Sequence, residues 1–312
     1  MIEGDEPGET MSDAIRVIQL SDTHFREDDA EPEGNHSYDV DLAFEAVLGH
    51  LGDHGDHDMV VVTGDVADHG RSGQYQKAAT AFSQFTIPVN VTPGNHDQAA
   101  AFVAGMGRPG VGTSRVVEAG PWAFLFVDSN AGNMVEHPSG RLVDHEDYDN
   151  RLHREGSLGE REATWVHDMC TATAAEHVFV WVHHPPANPV PLMKATDYTA
   201  EWSSLLSALP QIRGLGTGHT HIPASYEFEG RGIHVAPSFK NSFDLENETW
   251  LPPGYRTYRF ETDGSVSSEL HLVDHERWPR RPLGRALKSL FMGEITFEQL
   301  EAIAARRAAS TD

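Results

Sequence analysis

VTPGNHDQA, residues 91–99, carries the apolar end of a strand into Pro93 and Gly94, then sets Asn95, His96 and Asp97 side by side. A polar loop can read this way, and so can part of a metal site. The rest of the chain bears on the choice. PVNVT (88–92) is one of five short apolar runs that end on metal-type ligands. IRVIQL (15–20) leads to Asp22 and His24, and MVVVT (59–63) leads to Gly64 and Asp65. HVFVWVHH (177–184) closes on His183 and His184, and RGLGTGH (213–219) leads to His219 and His221. If these strands share a sheet, all five ends lie on its carboxyl-terminal rim, where sites form in open α/β sheets.

Helical spacing separates the runs. YDVDLAFEAVLGHL (38–51) places Val40, Phe44, Val47, Leu48 and Leu51 on one face. Segments 74–85, 158–172 and 201–209 also read as helices. Beyond residue 223 the rhythm changes to hairpins turning at Glu229-Gly230 and Asp263-Gly264. Alternating β and α units followed by hairpins predict stacked sheets with helices outside. Two polar stretches, 25–39 and 136–156, read as solvated loops or as lids over a site.

The ligand spacing has a chemical meaning. Asp22-Thr23-His24 and His219-Thr220-His221 each put two ligands two residues apart, and in extended chain such residues point the same way. Carboxylate, amide and imidazole without thiolate suit Mn, Fe, Zn or Co rather than a structural cysteine site. So many ligands exceed the needs of one catalytic ion with open positions; they fit two ions sharing a bridging carboxylate.

D-x-H, G-D, G-N-H-D, H-H-P-P and G-H-x-H occur in that order over residues 20–221. This series resembles the calcineurin-like metallophosphoesterase superfamily, and within it the bacterial class III cyclic nucleotide phosphodiesterases and their glycerophosphodiesterase relatives. The resemblance implies an α/β fold, a four-layer α-β-β-α sandwich, over residues 14–275. It implies a small phosphoester substrate, a phosphodiester such as 3',5'-cAMP, attacked by metal-bound hydroxide without a covalent enzyme intermediate. By position, two divalent or trivalent ions would take Asp22, His24, Asp65 and His221, and Asp65, Asn95, His183 and His219. His96 would donate to phosphate or protonate the leaving oxygen, with Asp97 supporting it. His184 is expected to face away from His183 in extended chain, and Asp68 and His69 to serve the loop, with contact to substrate as the alternative. Glycerophosphodiester or phosphomonoester hydrolysis is the alternative within this fold. A metal-dependent binding or regulatory protein is the alternative outside catalysis.

Composition narrows the rest. Among 312 residues, 23 basic against 48 acidic groups give a net charge of −25, which argues against a nucleic-acid polymer as partner. Bound metal would supply the local positive charge that an anionic substrate needs. The single cysteine, Cys170, precludes an intrachain disulfide and reads as a buried spectator in a helix. Residues 1–13 read as an acidic disordered leader without the apolar core of a signal peptide, and no apolar run reaches membrane-spanning length. A cytoplasmic protein is expected. Residues 276–312 read as a basic, amphipathic helical extension. Its segment 278–293 either packs on its own domain or docks on an acidic partner or anionic membrane. Oligomerisation is left open. The G-x-G-x-x-G match at 105–110 follows no strand and contains Pro109, so it is set aside as a dinucleotide motif.

Overall fold

The computed structural model describes residues 14–27, 37–52, 54–107, 110–133, 135–136, 142–143, 156–187, 197–296, 299–300, 302–303 and 306. The expected leader at 1–13, and most of the polar stretches 25–39 and 136–156, lie outside the described residues.

The amino-terminal half runs β1 (Ile15–Leu20), α1 (Val40–Leu51), β2 (Met59–Thr63), α2 (Ser72–Phe82), β3 (Val89–Thr92), α3 (Ala99–Met106) and β4 (Val111–Gly112). β5 (Val116–Ala119), β6 (Trp122–Val127), β7 (Val135–Glu136), β8 (Leu142–Val143), α4 (Gly159–Ala172) and β9 (His177–Val182) follow. Then come α5 (Asp197–Ala208), β10 (Ile212–Thr217), β11 (Ala224–Phe228), β12 (Arg231–Val235), β13 (Ser242–Asp244) and β14 (Thr249–Leu251). β15 (Gly254–Phe260), β16 (Val266–Leu272) and α6 (Arg285–Phe291) complete the order.

Two six-stranded sheets form, β16-β15-β1-β2-β3-β4 and β11-β12-β10-β9-β6-β5. β1 to β4 are parallel in the first, and β6, β9, β10 and β12 are parallel in the second. The hairpins expected to turn at Glu229-Gly230 and Asp263-Gly264 are β11–β12 and β15–β16, which supply antiparallel edges.

Strand alternation divides the apolar residues among three cores and so produces the four layers. Ile18, Leu20, Val60 and Val62 pack with Phe44 of α1 and Tyr75 and Phe82 of α2. Their neighbours Val17, Met59 and Val61 face the other way, against Trp122, Phe124, Phe126, Phe179 and Trp181 of the second sheet. Ala123, Leu125, Val127, Val178, Val180 and Val182 pack outward with Val166 of α4 and Trp202 of α5. Period-two side chains with both faces apolar can be buried only between two layers. The order is helix, sheet, sheet, helix, as the sandwich reading expected.

The inter-sheet core is aromatic and close-packed. Trp181 lies 4.8 Å from Phe179 and 5.0 Å from Tyr258, ring to ring. A Cβ at Gly216 would sit 2.2 Å from the Trp181 ring. Gly216→Ala is therefore expected to overpack this layer and cost about 1–3 kcal/mol, read as a lower urea midpoint at unchanged slope.

The carboxyl-terminal segment is built into the domain. Trp250 N–H donates to Arg281 O and Leu283 N–H to Glu248 O, each at 2.8 Å. Trp278, Leu290 and Phe291 are buried, and Phe291 packs 5.1 Å from Phe243. The apolar face expected in 278–293 is thus covered by the chain's own β13–β14 ribbon. Among the described residues, no helix is long and apolar enough to cross a membrane.

Candidate metal centre

The five strand ends meet on one edge, but not through one sheet. β1, β2 and β3 deliver Asp22, His24, Asp65, Asn95 and His96 from the first sheet, while β9 and β10 deliver His183, His219 and His221 from the second. The single-sheet premise is corrected: stacking two sheets brings their carboxyl ends together, so ligands arrive from both sides of a crevice. His183 Nε2 lies 3.4 Å from Asp65 Oδ2, and His221 Nε2 lies 3.1 Å from Asp22 Oδ1; each contact joins the two sheets.

The backbone achieves this with conformations that side chains seldom adopt. Among the described residues, seven non-glycine residues have positive φ, and five of them are Asp22, His24, Asp65, His219 and His221. Left-handed backbone costs free energy for L-residues and persists where surrounding structure enforces it, commonly at functional sites. The two i, i+2 pairs therefore do not converge by strand alternation. β1 ends at Leu20 and β10 at Thr217, and left-handed turns beyond those ends aim the side chains. Gly64 serves the same purpose differently. A Cβ there would stand 2.5 Å from His183 Nδ1, which must reach past it to Thr63 O.

The donors fall into two linked sets. In one, Asp22 Oδ1 is 3.1 Å from His221 Nε2, His221 Nε2 is 3.4 Å from His24 Nε2, and His24 Nε2 is 3.6 Å from Asp65 Oδ2. In the other, Asp65 Oδ2 is 3.4 Å from His183 Nε2, His183 Nε2 is 3.1 Å from Asn95 Oδ1, and Asn95 Oδ1 is 3.0 Å from His219 Nδ1. Asp65 Oδ2 belongs to both. Donors sharing one ion at about 2.0–2.2 Å stand roughly 3–3.5 Å apart, so the spacing suits coordination.

The outer nitrogens settle which atoms can coordinate. His183 Nδ1 lies 2.8 Å from Thr63 O, which only accepts, so Nδ1 carries the proton and Nε2 turns inward. His24 Nδ1 faces Asp68 Oδ1 at 3.0 Å, and His221 Nδ1 faces Asn241 Oδ1. A hydrogen bond on one ring nitrogen is what orients the other toward a metal.

Asp68 does more than serve its loop. It receives His24 Nδ1, Arg26 Nε at 2.8 Å and Lys240 Nζ at 2.8 Å. Burial favours its neutral acid, but His24 and Lys240 outweigh that and hold the carboxyl well below its ordinary range. Asp68→Asn would keep the size and remove the charge on which these partners converge. A loss of about 10–100-fold in metal affinity is expected, measured by metal titration with circular dichroism as the fold control. An unchanged affinity would reduce Asp68 to a loop residue.

The His96 ring is supported by Asp68 O, to which its Nδ1 donates at 2.8 Å. The Asp97 carboxylate receives Val66 N–H and Ala67 N–H at 3.1 Å, Gly94 N–H at 2.9 Å and Tyr75 O–H at 3.0 Å. It ties the two ligand loops together from behind. Burial and the Asp65 charge push its pKa up to about 6. The expectation for His184 changes: it does not face away. It lies past the end of β9, where alternation no longer holds, with its ring 4.2 Å from that of His219 and Nδ1 2.7 Å from Ser129 Oγ.

Electrostatics match the chemistry of a cation site. Burial lowers His24 to about 4 and holds His219 well below its ordinary value, leaving both rings neutral with lone pairs. Burial resists ionisation of Asp22, yet His221 brings its pKa down to about 2. Burial also resists charge on His183, but Asp65 overcomes it and pulls the pKa up to about 9. Ionised carboxylates packed against imidazoles demand a cation between them, whether proton or metal.

Known proteins agree with this geometry. A family model described as calcineurin-like phosphoesterase matches residues 15–223. The chain is 25% identical over 280 residues to the 3',5'-cyclic adenosine monophosphate phosphodiesterase CpdA of Escherichia coli K12, covering 85% of this chain and 92% of that one. It is 25% identical over 234 residues to the glycerophosphodiester phosphodiesterase GpdQ of Enterobacter lignolyticus, covering 71% and 76%. A dimetal phosphatase from Danio rerio has the same fold, with TM-score 0.55 at 15% identity over 84% of this chain and 97% of that one. GAP50, the anchor in the inner membrane complex of Plasmodium, shares it too, with TM-score 0.58 at 11% identity over 86% and 88%. Two such different descriptions on one fold leave function to the site. With the motifs, the converging donors and the family match over most of its length, the chain belongs to the calcineurin-like phosphoesterase family, hydrolases that act on phosphoesters.

Proposed function

We propose that the chain hydrolyses a small phosphodiester, a cyclic nucleotide such as 3',5'-cAMP or a close relative, at two metal ions. Asp22, His24, Asp65 and His221 would hold one ion, and Asp65, Asn95, His183 and His219 the other. Bound Mn, Fe, Zn or Co would supply positive charge toward the phosphate and lower the pKa of water toward neutrality. Asp65 presents Oδ2 to both donor sets while Oδ1 accepts His96 N–H at 2.8 Å, which fixes the carboxylate's direction. His96 stands beside the centre, with Nε2 3.9 Å from Asp65 Oδ2 and 22% of its side chain exposed. Its position suits a proton donor to phosphate or to the leaving oxygen.

One observation carries the reading: inward-facing donors from five strand ends form two sets that share Asp65 Oδ2. Preference for a diester draws on CpdA and GpdQ, whose names both describe phosphodiesterases. The test strips the protein with chelator, reloads it with each metal and offers cAMP, glycerophosphodiesters and p-nitrophenyl phosphate. Metal-dependent turnover that favours diesters is expected. Turnover without metal, or a preference for the monoester, would sink the proposal.

A further inference from the structure

The geometry points to a second binding site, for a phosphate-bearing small molecule, at the opposite edge of the sandwich. A pocket of about 300 Å³ opens where β10 and β12 begin, beside the β15–β16 turn. Arg213, Arg231, His234, Phe179, Gly232 and Gly264 are among its lining residues. Gly214 in its wall precedes His219 by five residues of largely extended chain, roughly 16 Å at ~3.3 Å per residue. The pocket is therefore separate from the candidate metal centre.

Its charge is unusual for a chain with 48 acidic and 23 basic residues. Arg213 Nε and Nη2 lie 3.3 and 3.2 Å from His177 Nδ1. His177 Nε2 lies 3.2 Å from Thr262 O, a pure acceptor, so Nε2 donates and Nδ1 accepts from the guanidinium. Arg213 thus rests against a ring nitrogen rather than a carboxylate. Arg231 Nη1 donates to Gly230 O at 3.2 Å, while its Nε–H is buried without a partner. Neither guanidinium pairs with a carboxylate among the described residues. A buried donor without an acceptor is costly and points to an acceptor that belongs there.

The remaining walls fit the same ligand. His234 Nε2 lies over Gly232, where an added Cβ would come within 3.2 Å of it, so the glycine keeps that nitrogen close to the pocket wall. Phe179 and Val266 add apolar surface. Guanidinium groups match the geometry of phosphate oxygens, and the volume exceeds what a bare phosphate fills, leaving room for an organic group.

The test follows amide signals of Gly230, Gly232 and Gly264 by NMR in the full-length, metal-loaded protein. These glycines report the far pocket even when phosphate also binds the metal centre. Inorganic phosphate and a nucleoside monophosphate are titrated separately, with chloride at matched ionic strength as control. Saturable shifts are expected, with affinity at least about tenfold weaker in Arg213→Ala/Arg231→Ala at unchanged circular dichroism. Saturation by phosphate alone assigns an inorganic-phosphate site; tighter binding of the monophosphate assigns a site that also reads the organic group. No shift at tens of millimolar, equal shifts with chloride, or undiminished binding in the double variant would overturn the assignment.

Discussion

His96→Ala is expected to lower turnover by about 10²–10⁴-fold while metal content stays at its wild-type value. The two outcomes separate because of how His96 is held. Its Nδ1 faces Asp68 O at 2.8 Å, a carbonyl that only accepts, so Nδ1–H donates there and leaves Nε2, whose own N–H the donor role requires, facing the crevice. The ring packs edge-on against His24 at 4.7 Å but belongs to neither chain of donors that ends on Asp65 Oδ2. Its backbone N–H holds Asp65 Oδ1, and that contact survives truncation to alanine. The loss should also depend on the leaving group. An alkoxide leaving from a cyclic nucleotide needs a proton, whereas p-nitrophenolate does not. A larger deficit with cAMP than with bis(p-nitrophenyl) phosphate assigns His96 to the leaving oxygen; equal deficits assign it to phosphate binding. Loss of metal from the variant would refute both roles.

The contrast between His96 and its neighbours shows what sequence can convey. Asn95 and His96 stand one residue apart, yet one joins a donor set and the other does not. Position in the motif separates them; residue chemistry does not. The five strand ends are readable because each apolar run is short, both faces of it are buried, and it stops on a polar pair. The division of those strands between two sheets is not readable, since a buried parallel strand looks alike in either. α3 is obscured because AAAFVAGM is apolar almost throughout and carries no period. The supporting residues are hidden by distance along the chain. Lys240 reaches Asp68 across 172 residues, and Asn241 meets His221 only after the β11–β12 hairpin returns the chain to the rim. Asp68 did carry one signal, its place three residues beyond Asp65 on the turn that ends β2, but a lone carboxylate in a loop is common. His184 misleads for a local reason. Alternation predicts its direction only while the strand lasts, and β9 ends at Val182.

Asp65→Asn is expected to abolish detectable phosphoester hydrolysis and to reduce bound metal from two ions to at most one per chain. Asparagine is the informative replacement. Asp65 has φ of 48°, and asparagine tolerates the left-handed region better than most residues, so the turn after Gly64 should persist. The amide oxygen can still accept His96 N–H, as Oδ1 does at 2.8 Å. What changes is Oδ2, which lies 3.6 Å from His24 Nε2 and 3.4 Å from His183 Nε2 and links the two donor sets. An amide nitrogen placed there offers no lone pair to a cation, and the negative charge shared by the two sets is gone. Without metal, the same substitution removes the carboxylate that pulls His183 up to about 9 against the effect of burial, so the variant's His183 should be easier to deprotonate. Metal content by elemental analysis, with the His183 ring followed by NMR, checks both consequences. Two ions retained at wild-type affinity would show that the sets do not depend on a shared carboxylate, and the dinuclear reading would fail at its centre.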